Sequence, residues 1–156
     1  MSASVQKIPD GYQAVMPYLC VRGGPAAVEF YKKAFGAVEM MRMSDPNGNI
    51  GHAEIRLGEG VVMLSDEFPE MGVLSPQSLG GTPVTLMFYC EDVDAVVNRA
   101  LECGAKEITP VENMFYGDRA GKIEDPFGHY WWIATRIENV SPEEMRKRSA
   151  ALYGMS

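Results

Sequence analysis

The sequence predicts an α+β chain built from one βαβββ module used twice, followed by a C-terminal helix. Three observations carry that expectation. Two apolar runs of strand length, Val15–Val21 and Val84–Cys90, each lead into a segment whose apolar residues recur at helical spacing. Both helical segments stop at a Gly-Ala pair, Gly36-Ala37 and Gly104-Ala105. After each pair the chain reads as three more strands separated by turn signals.

The elements follow in order. Gly23-Gly24-Pro25 breaks the first strand and opens a helix with Ala27, Val28, Tyr31, Ala34 and Phe35 on one face. Pro25 suits its first turn and Gly36 its C-terminal cap. Asp45-Pro46-Asn47-Gly48 turns the chain between Val38–Met43 and Ile50–Leu57, and Gly58-Glu59-Gly60 turns it into Val61–Ser65. Glu67 to Pro83, rich in glycine and proline, reads as a linker. In the second half Asp92 caps a helix carrying Val93, Val96, Val97, Ala100 and Leu101. Lys106–Thr109, Gly121–Glu124 and Tyr130–Ile137 complete that module, with Asp125-Pro126-Phe127-Gly128 as its last turn. Ser141-Pro142-Glu143-Glu144 is a capping-box pattern opening a helix to about Tyr153. The expected organisation is a first module over 12–66, a linker over 67–83, a second module over 84–137 and a helical tail over 138–156.

Composition narrows the function classes. With 156 residues, 46% hydrophobic and 22% charged, the chain is long enough for one domain or two small fused modules. Lys and Arg total 14 against 21 Asp and Glu, a net charge of −7 that argues against nucleic acid, which needs a dense cationic footprint. No apolar run approaches the roughly 20 residues that cross a bilayer, so no membrane partner is expected. Met1 to Asp10 lacks a basic n-region and an apolar h-region, so secretion is not expected either. Cys20, Cys90 and Cys103 form no CxxC and read as buried thiols in a reducing cytoplasm.

One strand carries unusual chemistry. Along Ile50–Leu57, alternation puts Gly51, Ala53, Ile55 and Leu57 on one face and His52, Glu54 and Arg56 on the other. The apolar face should pack on helices. The polar face is either the solvated side of an edge strand or the lining of a cavity.

Several runs resemble one family. Met16-Pro17-Tyr18-Leu19-Cys20-Val21 and Ala26 through Ala37 are similar to the opening of the vicinal oxygen chelate superfamily, which includes glyoxalase I, bleomycin resistance proteins and extradiol dioxygenases. Glu91-Asp92-Val93-Asp94, Gly104-Ala105 and Asp125-Pro126-Phe127-Gly128-His129 extend the likeness into the second half. Gly51-His52-Ala53-Glu54 and Phe115-Tyr116-Gly117-Asp118-Arg119 resemble its PhnB-like branch. The resemblance covers roughly Tyr12 to Ile137. It implies curved mixed sheets whose paired modules enclose a cup, and in metal-dependent members four His, Gln or Glu side chains on first and last strands.

Carried over, those four positions fall on Met16, Met63 (or Leu64 if the register slips by one), Thr85 and Trp132. None is a usual ligand for a hard or borderline cation. The resemblance therefore implies a cup without the standard metal site and no cofactor, a divalent metal at a displaced site being the alternative. Alternation adds Tyr18 beside Met16, Met87 and Tyr89 beside Thr85, and Tyr130 and Ala134 beside Trp132. Such a Met- and aromatic-lined wall suits an apolar or planar ligand, or else simply fills the cup as core.

The polar candidates are few. His52 and Glu54 suit a base with an orienting carboxylate, two ligands of a displaced metal, or a structural histidine with its partner. Arg119 suits a ligand carboxylate or phosphate, or a local pair with Asp118. His129 follows a turn glycine and reads as holding that turn. Cys20 and Cys90 lack the basic surroundings of a nucleophilic thiol. The expected function is metal-independent binding or sequestration of a small molecule. The alternative is an enzyme of lyase, isomerase or dioxygenase type using His52 and Glu54. A homodimer is expected, since the superfamily often pairs modules across subunits and the chain ends in a docking-type helix.

Overall fold

Two four-stranded mixed sheets with the same strand order carry the chain. The computed structural model describes residues 4–154, so the first three residues of the polar N-terminal stretch and the last two of the tail lie outside it. The chain divides into two compact units, one ending at Gly81 and the other beginning at Thr82. In the first, β1 (Tyr18–Val21), α1 (Gly24–Phe35), β2 (Val38–Ser44), β3 (Ile50–Leu57) and β4 (Gly60–Asp66) form the sheet order β1-β4-β3-β2. β1 runs parallel to β4, and the other pairs are antiparallel. In the second, β5 (Thr85–Tyr89), α3 (Val93–Glu102), β6 (Lys106–Asn113), β7 (Asp118–Glu124) and β8 (Tyr130–Arg136) give β5-β8-β7-β6, with β5 parallel to β8. The repeated βαβββ unit is the α+β architecture expected from the sequence, and α4 (Pro142–Tyr153) follows it.

Each helix covers one face of its own sheet. Burial of Ala27, Val28, Tyr31, Ala34 and Phe35 brings α1 onto β2, β3 and β4, and Gly36 adopts the left-handed conformation that ends it. Asp92 Oδ1 accepts from the Ala95 N–H at 3.0 Å to cap α3, whose Val93, Val96, Val97 and Ala100 are buried. On the sheets, Leu19, Val21, Ala53, Ile55, Val62 and Leu64 are the buried face of the first, and Ile123, Trp131 and Ile133 of the second.

Several boundaries differ from expectation for physical reasons. β1 starts at Tyr18 rather than Val15, because Pro17 has no N–H and continues the ladder only through its carbonyl, which accepts from Met63 N at 3.0 Å. β3 lies between β4 and β2, so its polar face is not that of an edge strand. The stretch expected as linker holds a 3-10 turn (Pro69–Met71) and a short helix α2 (Pro76–Leu79). Glu67 anchors it, accepting from Ser75 N at 2.8 Å, Ser75 Oγ at 2.7 Å and Arg22 Nε at 3.3 Å.

The three cysteines are half-buried, not buried as expected. Burial, with Glu67 and Asp66 nearby, pushes the Cys20 thiol up to about 11. Burial also raises Cys90. Thiols held protonated are poor nucleophiles. The tail is fastened by Arg148, which donates to Glu138 Oε1 at 2.7 Å, Glu144 Oε1 at 2.9 Å and the Phe115 carbonyl at 3.1 Å. Among the described residues no helix is long and apolar enough to cross a membrane.

Candidate functional site

The face of the first sheet opposite α1 carries the chemistry. Strand register lines up Tyr18 on β1, Met63 on β4, Glu54 on β3 and Met41 on β2 in one row, with His52 paired to Met43 in the next. Side chains two apart on β3 share that face, which brings His52 to Glu54. His52 Nε2 lies 3.0 Å from Glu54 Oε1, and the Tyr18 hydroxyl lies 2.7 Å from His52 Nδ1. The Tyr12 hydroxyl donates to Glu54 Oε2. Tyr18, His52, Glu54 and Tyr12 thus form one hydrogen-bonded chain. His52 turns Nε2 to the Glu54 carboxylate and Nδ1 to the Tyr18 hydroxyl.

Burial sharpens this chain. Glu54 is only 6% exposed, whereas Tyr18 is 56% exposed and offers its ring to the open face. Hydrogen bonds from His52 and Tyr12 hold the Glu54 carboxyl below the usual glutamate range, against the opposing effect of burial. The Tyr12 phenol is raised by its bond to Glu54, and burial together with the Glu54 charge raises Tyr18. Both phenols therefore act as proton donors at neutral pH.

A carboxyl lowered in the folded state stabilises the protein above the unfolded glutamate pKa of about 4.3, and that contribution is lost as pH falls through the folded value. The stability gap between the natural chain and Glu54→Gln is accordingly expected to be widest near neutral pH and to narrow in acid. Urea unfolding at pH 7, 5 and 3.5 reads it; a gap constant across the series contradicts an ionised Glu54.

Residues ahead of β1 finish the site. Gln13 brackets Val61, donating from Nε2 to its carbonyl at 2.8 Å and accepting its N–H at Oε1 at 3.2 Å. This holds the N-terminal segment against β4, and a pocket of about 410 Å³ remains, lined by Lys7, Ile8, Pro9, Tyr12, Gln13, Ala14, Met16, Glu54 and Met63. Met16 and Met63, two of the positions singled out in the sequence, meet Glu54 there. Tyr12, Gln13, Met41 and Met43 escaped the sequence reading. Alternation along Val38–Met43 could have found the methionines, but the register shifts in the β2–β3 pairing hide which β3 residue each one faces.

In the second unit, Thr85, Met87 and Tyr89 pair with Tyr130, Trp132 and Ala134, so these six share a sheet face. Met87 and Tyr89 are 47% and 52% exposed. The Tyr89 hydroxyl donates to Asp118 Oδ2 at 2.6 Å, and Arg136 Nε donates to Asp118 Oδ1 at 2.9 Å. Lys122 Nζ sits 4.6 Å over the Tyr130 ring. Arg119 forks onto Asp94 at 2.7 and 2.8 Å and reaches Asn113 at 3.0 Å, so its partner is Asp94 on α3 and not the neighbouring Asp118. The backbone N–H of His129 donates to Asp125 Oδ1 at 3.0 Å inside the turn.

Twin βαβββ modules, each with an open face rich in methionine and aromatic rings, define a glyoxalase-type protein. The chain belongs to the Glyoxalase/Bleomycin resistance protein/Dioxygenase superfamily, whose model matches residues 13–133. It is 42% identical over 136 residues to an uncharacterized protein of Mycobacterium tuberculosis, covering 85% of this chain and 80% of that one. Two of the solved structures that share its fold bear on its architecture alone. One is the PhnB protein of Bacillus cereus, described as a putative 3-demethylubiquinone-9 3-methyltransferase (18% identity, TM-score 0.61, 79% of this chain and 99% of that one). The other is the fosfomycin resistance protein FosX of Listeria monocytogenes, complexed with Mn(II) and sulfate (17% identity, TM-score 0.62, 88% and 97%).

The residues that the resemblance places at the superfamily's metal positions do not fit a metal. Met16 and Met63 present thioethers to the pocket, and Thr85 and Trp132 stand on β5 and β8 with a hydroxyl and an indole. Among the described residues no group of three or more His, Cys, Asp or Glu is placed to hold an ion elsewhere.

Proposed function

We propose that the chain is a metal-independent small-molecule binding protein whose ligand occupies the pocket beside Glu54. The observation that carries this reading is the pocket's make-up: Ile8, Pro9, Met16 and Met63 form apolar walls around one buried carboxylate. Its volume, about 410 Å³, lies within the range of small-molecule sites. Thioether walls adapt to flat or irregular apolar bodies, and each Å² buried contributes about 25 cal/mol. FosX is described with Mn(II); the side chains that the resemblance places at the superfamily's metal positions here, Met16, Met63, Thr85 and Trp132, are not usual ligands for that ion.

A second reading is favoured by the Tyr18–His52–Glu54 chain, in which a hydroxyl, an imidazole and a carboxylate stand in the order of an acid–base relay. His52, oriented by Glu54, would accept the Tyr18 proton at Nδ1 and leave the phenolate oxygen to take a proton from a bound ligand. One experiment serves both readings. Purified protein is screened by thermal shift against small apolar and planar compounds, with and without EDTA, and each hit is followed by NMR for conversion. Binding to the native state raises Tm by mass action. The expected result is hits whose shift survives EDTA and falls in Met63→Asp. Shifts that vanish with EDTA and return with Mn(II) or Zn(II) overturn the metal-independent reading, and conversion lost in His52→Ala makes the protein an enzyme.

A further inference from the structure

Resting on the pocket reading above, we propose that the ligand carries an ammonium or amidinium group on a flat apolar body, and that Glu54 is its counter-charge. The carboxylate is 6% exposed and lines the pocket. A carboxylate offers about four acceptor positions, two on each oxygen. Tyr12 fills one on Oε2 and His52 one on Oε1, which leaves one on each oxygen. The two N–H groups of one amidinium are the donors that would use both.

Charge is the second half of the argument. Tyr12 brings no charge, and His52 is the one partner of the carboxylate that is able to bring any. Among the described residues no lysine or arginine pairs with Glu54, whose ion-pair partner is His52 alone. Lys7 lines the pocket but is exposed and forms no ion pair with Glu54. An anion withdrawn from water without a fixed cation favours a cationic guest over a neutral one of the same shape. The apolar wall then selects the body that carries the cation. The net charge of −7 adds long-range attraction for cations approaching the surface.

The test uses three probes of matched shape, 2-naphthamidine, 2-naphthamide and 2-naphthoate, titrated into the full chain by calorimetry at neutral pH. The amidine is expected to bind about tenfold or more tightly than the amide, as charge-assisted pairing in a buried site provides, with the carboxylate weakest. Glu54→Gln should erase the amidine's advantage while keeping the amide's affinity. Met16→Lys, which leaves Glu54 in place and supplies an internal ammonium, should erase it too and guards against misfolding of the first variant. An amide that binds as well as the amidine, an advantage that persists in Glu54→Gln, or a preference for the carboxylate each overturns the proposal while leaving the pocket reading standing. No binding of any probe, with the pocket's Ile8, Met16 and Met63 unmoved in NMR, overturns both.

Discussion

Asp66→Ala is expected to cost about 3–5 kcal/mol of stability, the scale for orphaning several buried donors at once. The carboxylate is 8% exposed and closes the end of β4. Its Oδ1 accepts from Gly23 N at 3.0 Å and Gly24 N at 2.7 Å, and its Oδ2 from Ile50 N at 2.7 Å. One side chain thus ties the start of α1 and the start of β3 to the end of β4. No alanine atom reaches those N–H groups, and buried amides without partners are destabilising. Gly24 tells the same story from the other side, since a Cβ there would stand 2.5 Å from Asp66 Oδ2. Equilibrium urea unfolding should show the midpoint of Asp66→Ala falling far below that of the natural chain. Asp66→Asn, which keeps one acceptor oxygen, should fall between them. A loss under about 1 kcal/mol in Asp66→Ala would mean that water replaces the carboxylate.

The fold was legible because its signals are local and repeated. Pro25, Gly36, Asp92 and Gly104 punctuate helices by backbone chemistry that tertiary context rarely overrides, and two copies of one pattern check each other. The site was legible only where alternation sufficed. His52 and Glu54 were visible, with Arg56, as the polar residues facing the same way on an alternating strand. Their bond to each other needed no long-range information, whereas those from Tyr18 and Tyr12 did.

Tyr12 and Gln13 show what a single sequence hides. They lie in a stretch without periodicity, and they find Glu54 and Val61 across 42 and 48 residues of chain. Arg119 shows a related gap. Its neighbour Asp118 was the local candidate, but Asp118 is buried and committed to Tyr89 and Arg136, while Asp94 on α3 comes within reach through the packing of that helix. Which carboxylate an arginine takes is decided by tertiary distance, and the sequence offers only proximity along the chain.

In the second unit, Asp125→Ala should lower stability by about 3–5 kcal/mol, and it should do so through Trp131. Asp125 is 3% exposed. It accepts from Phe127 N at 2.9 Å and His129 N at 3.0 Å through Oδ1, and from Trp131 Nε1 at 2.9 Å through Oδ2. The turn is therefore bolted to the first buried side chain of β8. Trp131 is 2% exposed, and its neighbours Tyr130 and Trp132 point to the opposite face. Because a one-residue slip would exchange the two faces, anchoring Trp131 also fixes which rings the open side presents. A double-mutant cycle with Trp131→Phe, which keeps most of the ring volume but removes the N–H, should return a coupling of about 0.5–3 kcal/mol. The chain holds two tryptophans, so Trp131→Phe leaves Trp132 as a lone fluorescent reporter of that face. If Asp125 governs β8 through Trp131, adding Asp125→Ala to Trp131→Phe should cost clearly less than making it in the natural chain. Strict additivity would instead show that the carboxylate serves only its own turn.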